Sequence, residues 1–342
     1  MNRLTVTYLS VAIFFIFSFS ASSQKILDFQ GQLAGYGQYA PTDDHYFLTG
    51  GRYLPQLNIF LPNDTAKCLD FELALDISGY RTSYHGRYAV CKGNIDPYRF
   101  WVRYRHKQME LRLGLQKIDF GSSTLLRPLQ WFNSMDPRDP LKITKGVWRF
   151  LGRYYWLNNA NLWFWCLTMN DDLRGLDIFH SHKYLPEFGG RVQYPVSRGE
   201  VAFSYNHRWI DAGNMADSVI YKQVQADHFA LDGKWDVEIG LWFEATHSFL
   251  HRPLLSMRNQ TAINMGADYT FGVGNGLNVL VEHLFMTYDE KAFQFKNRYN
   301  VSAMQINYPL ALFDTVSAMG YYNWEDQKAS FFLSYLHSFK KL

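Results

Sequence analysis

After residue 23 the chain alternates apolar and polar side chains with a period of two, again and again, and no apolar stretch approaches the length of a membrane-crossing helix. Such alternation marks strands with two unlike faces. In 234–246, Trp235, Val237, Ile239, Leu241, Phe243 and Ala245 oppose Lys234, Asp236, Glu238, Gly240, Trp242, Glu244 and Thr246. Leu69, Phe71, Leu73, Leu75 and Ile77 likewise alternate with Asp70, Glu72, Ala74, Asp76 and Ser78, and Met109, Leu111, Leu113 and Leu115 with Glu110, Arg112, Gly114 and Gln116. An apolar stripe backed by a charged one suits a wall between lipid and water better than a sandwich strand.

Composition fits the same wall. Aromatic residues make up 18% of the chain, yet mean hydropathy is only −0.25, as expected when half the side chains face lipid and half face water. A chain of 342 residues is long for one ordinary core but suits a large barrel whose interior need not be filled. The expected fold is therefore all-β, a transmembrane antiparallel β-barrel, with a secreted soluble β-protein as the rival. Strands are expected near 28–40, 45–61, 67–82, 96–106, 108–118, 157–169, 172–180, 187–197, 199–210, 222–231, 234–248, 258–272, 276–289, 297–308, 314–324 and 327–339. That makes about sixteen, with fourteen as the alternative if 172–180 is dropped; an even count returns both ends to one side. Every second connector is tight, at 62–64, 106–107, 197–199, 231–233 and 272–276, whereas 84–95, 210–221 and 249–257 are longer.

Residues 1–23 have the layout of a signal peptide: Arg3 near the start, an apolar run from Leu9 to Phe19, then Ala21 and Ser23 at the −3 and −1 positions of a cut before Gln24. The expected organisation is a signal peptide over 1–23 and one barrel domain over 24–342, with export to a bacterial outer membrane. Phe331, Tyr335 and Phe339 in the last strand form the aromatic alternation that barrel-assembly machinery favours, before Lys340, Lys341 and Leu342. A net charge of +3 is too small to point to nucleic acid. Cys68, Cys91 and Cys166 are far apart and are read as free thiols, with no metal-ligand spacing. No phosphate-loop, dinucleotide or Gly-x-Ser-x-Gly motif occurs, and His180 and His182 fall in an outer loop, so neither an enzyme nor a cofactor is expected.

Two sets of residues are candidates for function. On the face opposite the apolar one lie Arg99, Arg103, Arg105, Arg112, Arg191 and Arg208, with Asp236, Glu238 and Glu244 on a strand roughly across the ring. Positive charge on one wall and negative on the other would set a field across a pore; local pairing, such as Glu110 with Arg103 or Arg105, is the alternative. The second set sits in the longest connector, 118–156, which holds Arg127, Asp136, Arg138 and Asp139 among prolines and many aromatics. A connector that long within a compact domain is usually functional, and this one is expected to fold back into the lumen as a constriction.

The run Leu111-Arg112-Leu113-Gly114-Leu115-Gln116-Lys117-Ile118-Asp119-Phe120-Gly121, with the Asp-Pro pairs at 136–137 and 139–140, resembles the Arg-x-Gly-x-Gln strand-to-loop signature of substrate-selective porins, including phosphate-selective and alginate-export channels. It departs from that signature at Leu115 and Phe120. The strand style and Gln24 are similar to outer-membrane proteins of the Bacteroidetes type. The resemblance implies a lumen-folded loop and an arginine-lined path for anionic or sugar solutes. The functional expectation is a passive, moderately selective channel for small hydrophilic solutes. Its partners would be outer-membrane lipid, the assembly machinery and, as further readings, copies of itself or a secretion complex. A non-conducting barrel serving such a complex and a barrel hydrolase are the alternatives.

Overall fold

The computed structural model describes residues 9–23, 26–40, 46–64, 67–84, 88–137, 143–213, 222–255 and 257–338. They form strands and connectors, with no helix among them. The strands are β1 (Leu9–Ser23), β2 (Leu27–Ala40), β3 (Tyr46–Asp64), β4 (Lys67–Tyr84), β5 (Tyr88–His106), β6 (Met109–Gln116), β7 (Val147–Tyr155), β8 (Asn161–Leu167) and β9 (Glu187–Val196). They continue as β10 (Gly199–Asp211), β11 (Gln223–Val237), β12 (Ile239–Leu254), β13 (Met257–Phe271), β14 (Leu277–Asp289), β15 (Arg298–Ala311), β16 (Asp314–Asn323) and β17 (Lys328–Ser338).

From β2 to β17 each strand pairs antiparallel with the next in the chain. These sixteen strands are the expected antiparallel barrel. β1 lies between β17, to which it is parallel, and β2, to which it is antiparallel. Outward side chains are large, apolar and exposed, as in Phe203, Leu231, Val281 and Phe331. Inward neighbours such as Ser204, Asp232, Glu282 and Asn264 are polar and buried. That is the two-faced wall the alternation implies.

The connectors are unequal. At one end they are brief: 107–108, 197–198, the single residue Glu238, 272–276 and 312–313. Lys107, Arg198 and Glu238 adopt left-handed backbone there, the conformation tight hairpins need. At the other end lie 117–146 and 168–186.

Four sequence expectations are corrected. Residues 172–180 form no strand but part of the connector 168–186, and a strand instead occupies 147–155, within the presumed long connector. The count of sixteen survives because these two errors cancel. In β7 the inward Val147, Arg149 and Leu151 and the outward Trp148 and Phe150 are all bulky, so little contrast marked the two faces. Residues 231–233 are no turn, since β11 runs through them to Val237. Asp232 and Gly233 carry a local turn signal, but Asp232 is drawn into the wall by Arg191, whose Nη1 and Nη2 donate to its two carboxylate oxygens at 2.6 and 2.7 Å. Finally, β5 begins at Tyr88, inside the presumed connector 84–95.

Candidate functional site

The described residues of the connector 117–146, the third at its end of the barrel, fold into the lumen. Ile118, Phe120, Leu129, Trp131 and Phe132 pack on Leu151, Trp165 and Leu167 of β7 and β8 in one buried cluster. Phe120 stacks on Trp165 at 5.8 Å between centroids, and Phe132 meets Trp165 edge-on at 5.3 Å. Burial of such side chains contributes roughly 1.5–3 kcal/mol each, which holds the first half of the connector against that wall.

Two carboxylates from β12 and β14 hold its tip. Glu244 accepts hydrogen bonds from the backbone N–H of Ser123 at 2.7 Å and Leu129 at 3.3 Å. Glu282 accepts three, from Thr124 at 2.6 Å, Leu125 at 3.0 Å and Leu126 at 2.6 Å. Between them, on β13, Asn264 donates to Ser123 Oγ at 2.7 Å. The tip's successive N–H groups thus converge on two carboxyl groups, an arrangement similar to that of anion-binding turns. Gly121 makes this approach feasible: its φ is +93° and a Cβ there would collide with the Glu244 carboxylate. Within the loop Arg127 pairs with Asp119 and donates Nε to Ser123 O at 3.0 Å. Burial pushes the Asp119 carboxyl up, but Arg127 and Lys117 outweigh it and hold the group below its ordinary value.

The connector 168–186 joins it. Gly175 N donates to Asn133 O at 3.0 Å, and Ser134 Oγ to Leu173 O at 3.2 Å. Its own anchors are buried ion pairs, Arg174 with Glu187 at 2.7 Å and Arg208 with Asp177 at 2.6 Å.

Each charge predicted from the sequence can now be placed. Arg103 donates Nε and Nη2 to Asp70 Oδ2 at 2.9 and 2.6 Å, and Arg105 reaches the same oxygen at 3.2 Å. Arg112 pairs with Glu110 at 2.9 Å and lies over the Trp101 ring at 4.6 Å. Glu110 therefore serves Arg112, with Asp70 taking Arg103 and Arg105. Arg99 donates to Thr144 O at 3.2 Å, at the far end of the inserted loop. Arg191 and Arg208 belong to the buried pairs already described. Of the three acids expected on a facing wall, Glu244 is buried beneath the loop, Glu238 forms the β11–β12 turn and Asp236 is exposed beside it. Asp136 is half-buried in the loop; Arg138 and Asp139 lie outside the described residues.

Sequence reasoning missed Glu282, Asn264, Arg149 and Arg153. Glu282 lies between the inward Leu280 and Leu284, so its strand lacks clean alternation; a lone carboxylate in an apolar run was the available signal. Arg149 and Arg153 were hidden with β7. The wall from β3 to β7 thus turns Arg52, Arg99, Arg103, Arg105, Arg112, Arg149 and Arg153 toward the lumen against Asp70, Glu72, Asp76 and Glu110. Gly114 sits amid this wall at φ +122°, where a Cβ would strike the Phe100 carbonyl.

No family model and no curated protein matches the chain in sequence. Solved structures match it in shape. They include OmpF of Salmonella typhi in complex with daunomycin, with a TM-score of 0.56 and 9% identity over 91% of this chain and 96% of that one. The outer membrane channel DcaP of Acinetobacter baumannii gives 0.54 and 10% identity over 97% and 95%. The anion-selective porin of Comamonas acidovorans gives 0.50 and 10% over 96% of each. At this identity the likeness carries the fold: the chain has the antiparallel barrel of the outer-membrane porins.

Proposed function

We propose that the protein is a passive channel of a bacterial outer membrane that passes small hydrophilic solutes and favours anions. The observation that carries this reading is the wall from β3 to β7, where seven arginines stand with four carboxylates beside a loop anchored from the opposite side. Guanidinium groups keep their charge and bind carboxylate or phosphate through a planar fork. The loop narrows the lumen, so a solute passes within reach of Arg103, Arg105 and Arg112, whose side chains are 20, 48 and 16% exposed. In place of a field between two opposed walls, the reading has one basic wall, with the opposite acids consumed in holding the loop. The inserted loop and the 111–121 signature favour the substrate-selective, alginate-export type of porin.

The brief connectors then face the periplasm and the longer ones the exterior. Residues 1–23 act as the signal peptide, and cutting after Ser23 removes β1 whole. β17 and β2, which it separates, then meet as antiparallel neighbours. This also removes the parallel contact with β17, at odds with the antiparallel order of β2 to β17. Delivery by the barrel-assembly machinery through the aromatic last strand fits the same route.

Single-channel recording of the purified protein in a planar bilayer tests the reading. Steady steps with an anion-favouring reversal potential, diminished in Arg103→Gln and Arg112→Gln, are expected. A folded barrel that gives no steps, even after deletion of 124–135, would overturn it in favour of a sealed barrel serving a protein partner.

A further inference from the structure

We propose that the connector between β14 and β15, residues 290–297, is a strap on the outside of the barrel that holds an outer-leaflet lipid, its phenyl rings against the acyl chains and its lysines against the headgroup phosphate. The strap is revealed by what it covers. On β13 and β14 the odd-numbered residues point outward, since Ala262, Leu284 and Met286 form a buried inner cluster. Yet the outward Asn259, Thr261, Thr287 and Asp289 are only 6, 5, 2 and 2% exposed, which a bare outer wall would not produce. Asp289 accepts hydrogen bonds from the backbone N–H of Lys296 at 3.2 Å and of Asn297 at 3.1 Å, and Asn259 Nδ2 donates to Glu290 O at 2.9 Å. The connector is thereby folded back over the wall it leaves.

Its rings come down at a defined level. Phe293 stacks on His247 of β12 at 5.0 Å between centroids, and Phe295 meets Phe285 of β14 at 5.6 Å. His247 is itself fixed, with Nδ1 2.9 Å from Thr261 Oγ1. From the brief connector 272–276 upward, the outward positions of β14 hold Leu277, Val279, Val281, His283 and Phe285. Residues 277–285 span roughly 26 Å of strand, or about 20 Å after barrel tilt, close to the apolar band of about 25 Å expected of such walls. Only His283 interrupts this stripe, and its Nδ1 lies 2.9 Å from Ser302 Oγ. Phe285 therefore ends the band, and Phe295 rests on it where acyl chains give way to headgroups.

Two features select lipid as the occupant. Phe293 and Phe295 are 61 and 44% exposed, and both take left-handed backbone, at φ +56° and +54°, which bulky side chains rarely adopt. Strain of this kind persists only where the surroundings impose it; here the Asp289 clamp does so, and it leaves two bare phenyl rings at the rim of the apolar band. Lys291 and Lys296 flank the rings, exposed and unpaired among the described residues, and Arg298 stands beside them in register with Thr287. Against these cations the connector sets only Glu290, because Asp289 is occupied by the two N–H groups. Apolar rings at acyl depth under a cationic surplus match an anionic lipid, whose chains and phosphate lie at those same two levels. A second copy meeting the strap face to face would set lysine against lysine.

The test is native mass spectrometry of the detergent-purified barrel with bisphosphorylated lipid A and with its dephosphorylated form. The wild type should prefer the phosphorylated lipid by about thirtyfold, the weight of two lysines beside a headgroup phosphate. Lys291→Gln/Lys296→Gln should lose most of that preference yet keep the dephosphorylated lipid, whereas Phe293→Ser/Phe295→Ser should lose both lipids. Heat-resistant gel mobility and single-channel conductance should stay at wild-type values in both variants. Equal binding of the two lipids by the wild type would overturn the proposal, as would variants that fold and bind as the wild type does. Displacement of the lipid by millimolar inorganic phosphate would mean a free-phosphate site, and a lipid-free dimer lost in Phe293→Ser/Phe295→Ser would mean a second copy; either result overturns it. The inference rests on the channel reading only for the outward orientation of the longer connectors, and lipid binding is read without reference to conductance, so the two can fail separately.

Discussion

The two sides of the barrel share one alternating pattern and meet different fates inside. On β10 to β14 the inward side chains are sealed: Ser204, Asn206, Ala226, Ala230, Ala262 and Asn264 are at most 3% exposed. On β16 every residue is half-buried, inward and outward alike, and β17 shows no fully buried position among its described side chains. The difference lies in what covers the wall. Two inserted connectors lie against β7 to β14 and turn that lumen face into a dry core, with packed aromatics, paired charges and satisfied backbone. The remaining face meets this lid only at its edge, where Met319 and Tyr321 pack on the cluster of Leu125, Trp242, Leu280 and Ala303, and is otherwise uncovered. One barrel thus contains a protein interior and an aqueous wall, and a substitution on the same kind of inward position should read differently on the two.

The largest contrast is expected at the buried ion pair. Arg191→Ala leaves Asp232 charged and alone in the covered half, which should destabilise the barrel by about 3–5 kcal/mol. On the wet side Ser317→Ala should change stability by no more than about 0.5 kcal/mol. Urea unfolding followed by gel mobility measures both, and equal effects would break the comparison. Next comes the loop anchor. Glu282→Ala deprives three backbone N–H groups of their acceptor and should weaken loop docking by about 3 kcal/mol. Larger, noisier conductance steps on an intact barrel are the expected sign; unchanged steps would mean that the aromatic cluster alone holds the loop. Gly121→Ala attacks the same contact from the other side, through a residue at φ +93°, and should cost roughly 1–3 kcal/mol.

The smallest effect is expected from pH. Asp119 lies below its ordinary value of 3.8 because Arg127 and Lys117 outweigh its burial. A carboxylate lowered in the folded state adds stability above its unfolded pKa and loses it as pH falls through the folded value. Asp119 therefore leaves the loop unaffected from pH 7 to about 4 and loosens it only below that. Conductance recorded between pH 7 and 3 checks this. A transition near pH 6 that Asp119→Asn abolishes would contradict it.

Much of the wall was legible because period two is a local property: each strand's faces can be read from its own side chains, as in 69–78 and 234–246. The turn at Glu238 shows how local that reading is. The sequence argument put the turn at 231–233, yet even-numbered residues point inward on both β11 and β12, so Glu244 was assigned to the correct face. β7 and Glu282 escaped because the charged groups on their inward faces stand among apolar ones, Val147 and Leu151 in β7 and Leu280 and Leu284 in β14, leaving little contrast for a local argument to use. The partners of the charges were also out of reach. Asp70 takes Arg103 and Arg105 from 33 and 35 residues away, and Glu244 and Glu282 meet the loop across gaps of 115 to 158 residues. By itself the sequence determined a two-faced antiparallel wall and the existence of an inserted loop, since side-chain alternation and connector length suffice for those. Only the tertiary structure decided which half of the lumen is covered and which acids anchor the loop, because those depend on groups brought together when the strands are wound into a barrel.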